Sequence, residues 1–120
     1  MLQKVNLAEK LAQFSEHWSP KVVGELNGQQ LRLAKLLGAF DWHHHEHEDE
    51  LFLVLAGRLT LRLRDGELQL APGEFVIVPA GVEHQPVAEE EAHVLLFEPA
   101  STLNTGNLRN ARTRERLERL

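Results

Sequence analysis

The sequence predicts an all-β sandwich or barrel preceded by a short helix, on three observations. Apolar and polar residues alternate through much of the chain, Asp65-Gly66 marks a tight hairpin between two such runs, and Gly, Pro, Asn or acidic turns recur at short intervals.

In chain order, Asn6 followed by Glu9 reads as a helix cap with its reciprocal acidic partner. Leu7, Leu11, Phe14 and Trp18 then recur at helical spacing, so the helix is expected to end near Ser19-Pro20. Beyond it the period changes to two. The clearest case is residues 58–64, where Leu59, Leu61 and Leu63 share one face and polar residues the other. Asp65-Gly66 is a strong two-residue hairpin signal, and residues 67–70 resume the alternation. Further strands are expected over 22–26, 30–37, 51–55, 74–78, 82–88 and 92–97. Residues 109–120 contain good helix formers and a weak apolar stripe, which predicts a short C-terminal helix or a frayed end.

Size and composition narrow the function. At 120 residues the chain reads as a single domain, 1–120, with a barrel core over about 22–98. A chain of this size buries roughly two thirds of its unfolded surface without disulfides. Cysteine is absent, which removes thiolate nucleophiles, sulfur-based metal sites and redox switching, and leaves nitrogen and oxygen as ligands. A net charge of −5, and a basic cluster at 109–119 interrupted by Glu115 and Glu118, argue against a nucleic-acid partner. The first ten residues lack the continuous apolar core of a signal peptide, and no apolar run approaches the ~20 residues of a membrane span. The chain therefore reads as cytoplasmic, with no membrane partner.

The chemistry is concentrated in His43-His44-His45-Glu46-His47-Glu48-Asp49-Glu50, where four imidazoles and four carboxylates occupy eight residues. If His43 and His45 lie in a strand they project to the same face, while His44 points away. The polar segment 46–49 can act as a turn that returns Glu50 opposite the pair, and His84, after the tight turn Pro79-Ala80-Gly81, is a candidate to close the site. His45 and His47 form a rival pair. His17 and His44 read as surface residues. Lys35 shares a face with Leu31, Leu33 and Leu37. Without a bulge that face continues to His43 and His45, whereas a bulge at Gly38 leaves Lys35 at the barrel rim.

These residues sit in a recognisable pattern. Gly38, four residues, His43-His44-His45, four residues, Glu50, six residues and Gly57 are followed by Gly73, five residues, Pro79-Ala80-Gly81, two residues and His84. In both motifs the chain resembles a small single-domain cupin. It departs in having Ala88 where the family often has Asn, and in a Gly38 spacing one residue short. The flanks Trp18-Ser19-Pro20 and Asn104-Thr105-Gly106 resemble short bacterial cupins labelled as related to mannose-6-phosphate isomerase.

The resemblance implies a jelly-roll β-barrel (double-stranded β-helix) holding one divalent metal ion, Fe, Mn, Ni, Co or Zn, on His43, His45, Glu50 and His84. Phe52, Val54, Leu61, Phe75, Ile77 and Leu95 are expected to line the interior. An enzyme acting on a small polar metabolite is then the first expectation. It would be isomerase-like on a sugar phosphate or oxo acid, with His93 or Glu48 moving a proton and Lys35 meeting an anionic group, or oxygenase-like with Fe(II). His93 also reads as an ordinary packed histidine. The alternatives are a non-catalytic small-molecule or metal-binding module acting through a partner, and a purely structural dimer. Alternating strands at an open sheet edge make a homodimer an expectation in each case.

Overall fold

The structure, a computed structural model, describes residues 2–120. Met1, at which the signal-peptide reading and the single-domain span begin, lies outside them. One short helix, α1 (Leu7–Leu11), precedes seven strands: β1 (Lys21–Leu26), β2 (Gln29–Ala39), β3 (Glu50–Ala56), β4 (Leu59–Leu63), β5 (Gly66–Leu70), β6 (Phe75–Val78) and β7 (His84–Pro99). All pairings are antiparallel.

The long strand β7 organises the jelly roll. Its C-terminal part lies between β2 and β3, with Leu95 opposite Leu33 on one side and Leu53 on the other, in a sheet of order β1-β2-β7-β3-β6. Its N-terminal part meets the end of β2, Ala88 opposite Gly38, and pairs with β4, Pro86 opposite Leu61; β4 in turn pairs with β5. The exposed run Glu89-Glu90-Glu91 separates the two parts. Even-numbered residues of β7 face inward on both sides of that run, His84, Pro86 and Ala88 before it and Ala92, Val94, Leu96 and Glu98 after it. A single core forms where Ala34 and Leu36, Phe52 and Val54, Leu59 and Leu61, and Val94 and Leu96 meet from four strands.

Several expectations change. The helix is one turn long: Asn6 caps it by accepting from the Glu9 amide at 3.0 Å, but Phe14 and Trp18 lie beyond its end. The chain there is captured by the sheet instead, the Trp18 amide donating to Lys35 O at 2.9 Å. The strands expected at 82–88 and 92–97 are one strand, because the exposed acidic run between them stays extended. Residues 109–120 form no helix. Their end is tied to β1, with Val22 N donating to Glu118 O at 2.9 Å and Leu120 N to Val22 O at 3.0 Å, which covers a sheet edge otherwise left unpaired. Phe52, Val54 and Leu61 are buried as expected, but Phe75 and Ile77 are 60% and 54% exposed and Leu95 is half-buried on the outer face. In Phe75-Val76-Ile77-Val78 both faces are apolar, so alternation in the sequence does not reveal which one turns inward.

Gly57, between β3 and β4, adopts a φ of +78°, and a Cβ there would stand 2.6 Å from Glu91 O and 3.0 Å from Ala92 Cα. Both strain and backbone collision oppose any side chain. Gly57→Ala is expected to lower stability by at least about 2 kcal/mol, read as a fall in the urea midpoint with an unchanged slope.

Candidate metal centre

Three backbone features bring the donors together. His43 and His84 form an antiparallel bridge, with His43 N donating to His84 O at 3.1 Å and His84 N to His43 O at 2.9 Å. Two residues on, His45 O accepts from Gly81 N at 2.7 Å, which fixes His45 on the same face. The segment 46–49 then reverses the chain, Asp49 Oδ1 accepting from Ala80 N at 2.8 Å, and Glu50 opens β3 facing inward. His43, His45, Glu50 and His84 are 3%, 4%, 4% and 0% exposed. One ligand atom from each lies within 4.8 Å of all the others.

The protonation pattern prepares these atoms to hold a cation. Nδ1 of His43 lies 2.9 Å from Asp41 O, and Nδ1 of His84 lies 2.9 Å from Val82 O. Carbonyl oxygens only accept, so each Nδ1 carries the proton and each Nε2 presents a lone pair. Burial, together with the neighbouring His84, pushes His43 down to about 4, so its ring is neutral at pH 7. Burial pushes the Glu50 carboxyl up, but His45 and His84 outweigh it and hold the group well below the ordinary range. Glu50 is therefore ionised.

What these buried atoms lack is partners. Both ring nitrogens of His45, Nε2 of His84 and Oε1 of Glu50 make no hydrogen bond. Glu50 Oε1 lies 3.3 Å from His45 Nε2 and 3.4 Å from His84 Nε2. Leaving such groups dry and unpaired costs about 1–3 kcal/mol each. Donors held about 2.0–2.2 Å from one ion stand roughly 3–3.4 Å from their neighbours, so the spacing fits a shared cation. The three-nitrogen, one-oxygen set suits a single divalent transition metal.

Beside the cluster lies a cavity of about 40 Å³. Its walls include His43 and Glu50, but most are apolar: Trp18, Leu36, Phe40, Phe52, Val94 and Leu96. Trp18 stacks on Phe40 with centroids 4.7 Å apart, and Phe40 meets His43 edge-on at 5.4 Å. Glu98, 2% exposed, is the other charged residue in this wall. Its Oε1 accepts from Arg32 Nη1 at 3.2 Å, whereas its Oε2 has no partner. Burial and the adjacent Glu50 charge push the Glu98 carboxyl up against the pull of Arg32. Arg32 is fully engaged, donating also to Gln30 Oε1, Thr102 O and Ala100 O.

The remaining candidates lie elsewhere. The register of β2 shifts between Leu36 and Gly38, where Gly38 has a φ of +82°. That bulge turns Lys35 away from the cluster, and its Nζ donates to Phe14 O at 2.6 Å. His93 is on the outer face of β7, its Nε2 2.9 Å from Glu91 Oε1, and does not reach the cavity. Glu48 accepts from Ser101 Oγ at 2.9 Å in a separate polar cleft of about 320 Å³, of which His45 forms one wall. The side chain of His47 is 87% exposed, so the His45–His47 pairing does not form. His44 presents its backbone to Asn107, and His17 pairs with Glu91 at 2.7 Å. Sequence reasoning did not single out Glu98 or Arg32. Each is a lone charge on an otherwise apolar face, Glu98 with Val94 and Leu96, Arg32 with Ala34 and Leu36, and that was the available signal.

Comparison with known proteins agrees with this geometry. Residues 36–98, from the end of β2 through β7, match the family model described as Cupin domain. A cupin-2 domain containing protein from Shewanella frigidimarina NCIMB 400 superposes with a TM-score of 0.78 at 42% identity, covering 79% of this chain and 93% of that one. Protein YdbB of Bacillus subtilis (strain 168) is 38% identical over 78 residues, 64% of this chain and 63% of YdbB. Quercetin 2,3-dioxygenase of the same organism is 43% identical over 42 residues, 35% of this chain but 12% of the enzyme. The chain thus matches less than two thirds of either Bacillus protein.

Without Arg32, the buried Glu98 carboxyl, Gln30 Oε1 and the carbonyls of Ala100 and Thr102 lose the donor they share. Arg32→Met is expected to cost about 3–5 kcal/mol in urea unfolding. The double variant Arg32→Met/Glu98→Leu should recover much of that loss, a non-additivity that separate contributions would not produce.

Proposed function

The chain belongs to the cupin family, and from that premise we propose that it is a divalent-metal enzyme acting on a small, largely apolar molecule through an oxygen substituent, with oxygenase-type chemistry. The observation that carries the metal is the buried cluster of His43, His45, Glu50 and His84, in which inward atoms of His45, Glu50 and His84 have no hydrogen-bond partner. A bound Fe(II) or similar ion supplies a Lewis acid with open positions for oxygen ligands.

The residues of the chain divide the remaining work. Backbone carbonyls 41 and 82 fix the tautomers of His43 and His84, which leaves their Nε2 lone pairs as the atoms that would hold the ion. Trp18, Phe40, Phe52 and Leu96 exclude water and favour an apolar ligand body. Glu98 Oε2, unpartnered in the wall like Glu50 Oε1, would meet a hydroxyl of the ligand. A cavity of about 40 Å³ admits the chelating end of such a ligand and little more without side-chain movement.

The same wall argues against a sugar phosphate. Among the described residues no lysine or arginine lines the cavity, since Lys35 turns to Phe14 and Arg32 is spent on its own partners. A phosphate beside Glu98, with no cation but the metal, would face a large desolvation penalty. The sequence similarity to quercetin 2,3-dioxygenase points the same way, though it spans 42 residues.

Elemental analysis of protein purified without an affinity tag is expected to find near one transition-metal ion per chain, with strong loss in both His45→Ala and Glu50→Ala. Undiminished occupancy in those variants refutes the ligand set. With Fe(II) loaded, an oxygen electrode is expected to record uptake on addition of a phenolic probe such as quercetin or catechol, and none with mannose 6-phosphate. Isomerisation of the sugar phosphate without oxygen uptake would overturn the oxygenase reading while leaving the metal site intact.

A further inference from the structure

The cavity beside the buried cluster is too small for the ligand its walls favour. It measures about 40 Å³, whereas an apolar cavity of roughly 150 Å³ is one that holds a benzene-sized ring. A wall must therefore move before an aromatic molecule can enter.

Most of the wall is fixed. Leu36, Phe52, Val94 and Leu96 are strand residues of the core, and His43 and Glu50 belong to the metal cluster. Among the described residues that line the cavity, only Trp18 and Asn104 reach solvent. Asn104 is pinned at both ends of its amide, Nδ2 donating to Arg112 O and Oδ1 accepting from Arg114 N, each at 2.8 Å. Trp18 is the wall residue left to move.

One hydrogen bond and one stacking contact orient its ring. Leu37 has no partner on β7, because the register of β2 shifts there, and its carbonyl accepts from the indole Nε1 at 2.8 Å. The ring lies on Phe40 with centroids 4.7 Å apart and planes inclined by 24°. The backbone is anchored independently of the ring. Trp18 N donates to Lys35 O at 2.9 Å, and Phe14, Ser19 and Pro20 on either side are buried. The indole can thus turn outward about its own side-chain bonds while the segment that carries it stays in place. Trp18 also has a φ of +59°, a left-handed conformation that a bulky side chain adopts at a cost and that recurs at ligand clamps and switches.

We propose that Trp18 is the specificity-determining gate of this cavity: its indole closes the mouth and swings off Phe40 to admit a flat aromatic ligand, which takes its place on the Phe40 ring. The proposal rests on the reading of this cavity as the ligand site. A ligand of a few atoms fits the space already present and gains little from the movement. A ring-bearing ligand binds only the open form, so its apparent affinity falls by the fraction of molecules that are open. Stacking on Phe40 then favours flat rings over saturated ones of the same size.

Two probes of different size test this on cobalt(II)-loaded protein, followed by the cobalt absorption spectrum. Trp18→Gly is the variant of choice, since glycine takes a φ of +59° without strain and the fold is expected to persist, as circular dichroism would show. It should bind 4-nitrocatechol at least about tenfold more tightly than the parent, with azide affinity changed by less than about twofold. Trp18→Phe, which keeps a ring on Phe40 but drops the bond to Leu37 O, should tighten 4-nitrocatechol by less. A general loss of stability would weaken both probes alike. A second measurement needs no metal, so it decides the matter even if no cobalt is taken up and the metal reading fails. In Trp42→Phe the gate is the sole tryptophan, and its emission in metal-free protein is expected to move to longer wavelength as phenol saturates the cavity and the indole enters water. Equal effects of Trp18→Gly on the two probes, or no saturable shift to longer wavelength with phenol, overturns the proposal.

Discussion

The constraint on which the site depends is the burial of three imidazoles and one carboxylate around a single point, an arrangement that could hold one cation. Three imidazoles and a carboxylate are withdrawn from water, and most of their inward atoms make no hydrogen bond. A protein that needed only to fill this volume would do better with leucine. A single divalent ion would supply the partner that the inward atoms of His45, Glu50 and His84 lack.

Strand β7 makes that convergence possible. Pairing with β2 along much of its length, with β4 near its start and with β3 near its end, it draws the strands of one sheet around a single interior. His84 stands at its start, bridged to His43, and Glu98 stands near its end, bridged to Arg32. Both face inward because an even step in the sequence relates them and the inward parity before the exposed acidic run is the same after it. The two buried carboxylates are held differently. Glu50 stays ionised among imidazoles, while Glu98 is pushed toward its neutral form by burial and by Glu50 itself. One carboxylate is therefore suited to a cation and the other to a hydroxyl.

Much of this was legible in the sequence, and the exceptions share a cause. The alternation at Leu59, Leu61 and Leu63, the Asp65-Gly66 hairpin and the spacing of His43, His45, Glu50 and His84 are local patterns that need no tertiary information. Lys35 was unreadable because a single bulge before Gly38 inverts every later side chain. Phe75, Ile77 and Leu95 were unreadable for a different reason: strands apolar on both faces carry no alternation to read. The helix expected to reach Trp18 and the one expected at 109–120 yield to backbone bonds with Lys35 and Val22, which lie far away in sequence. The pocket wall was only partly visible, since Trp18, Phe40 and Glu98 come from three separated segments.

The most direct measurement is anomalous X-ray scattering from crystals of metal-loaded protein, recorded at the absorption edge of the bound element. The account predicts one peak in the interior, with side-chain donors of His43, His45, Glu50 and His84 each about 2.0–2.3 Å away. A well-loaded crystal whose peak lies elsewhere, or whose ion is held by fewer than three of these residues, would contradict it.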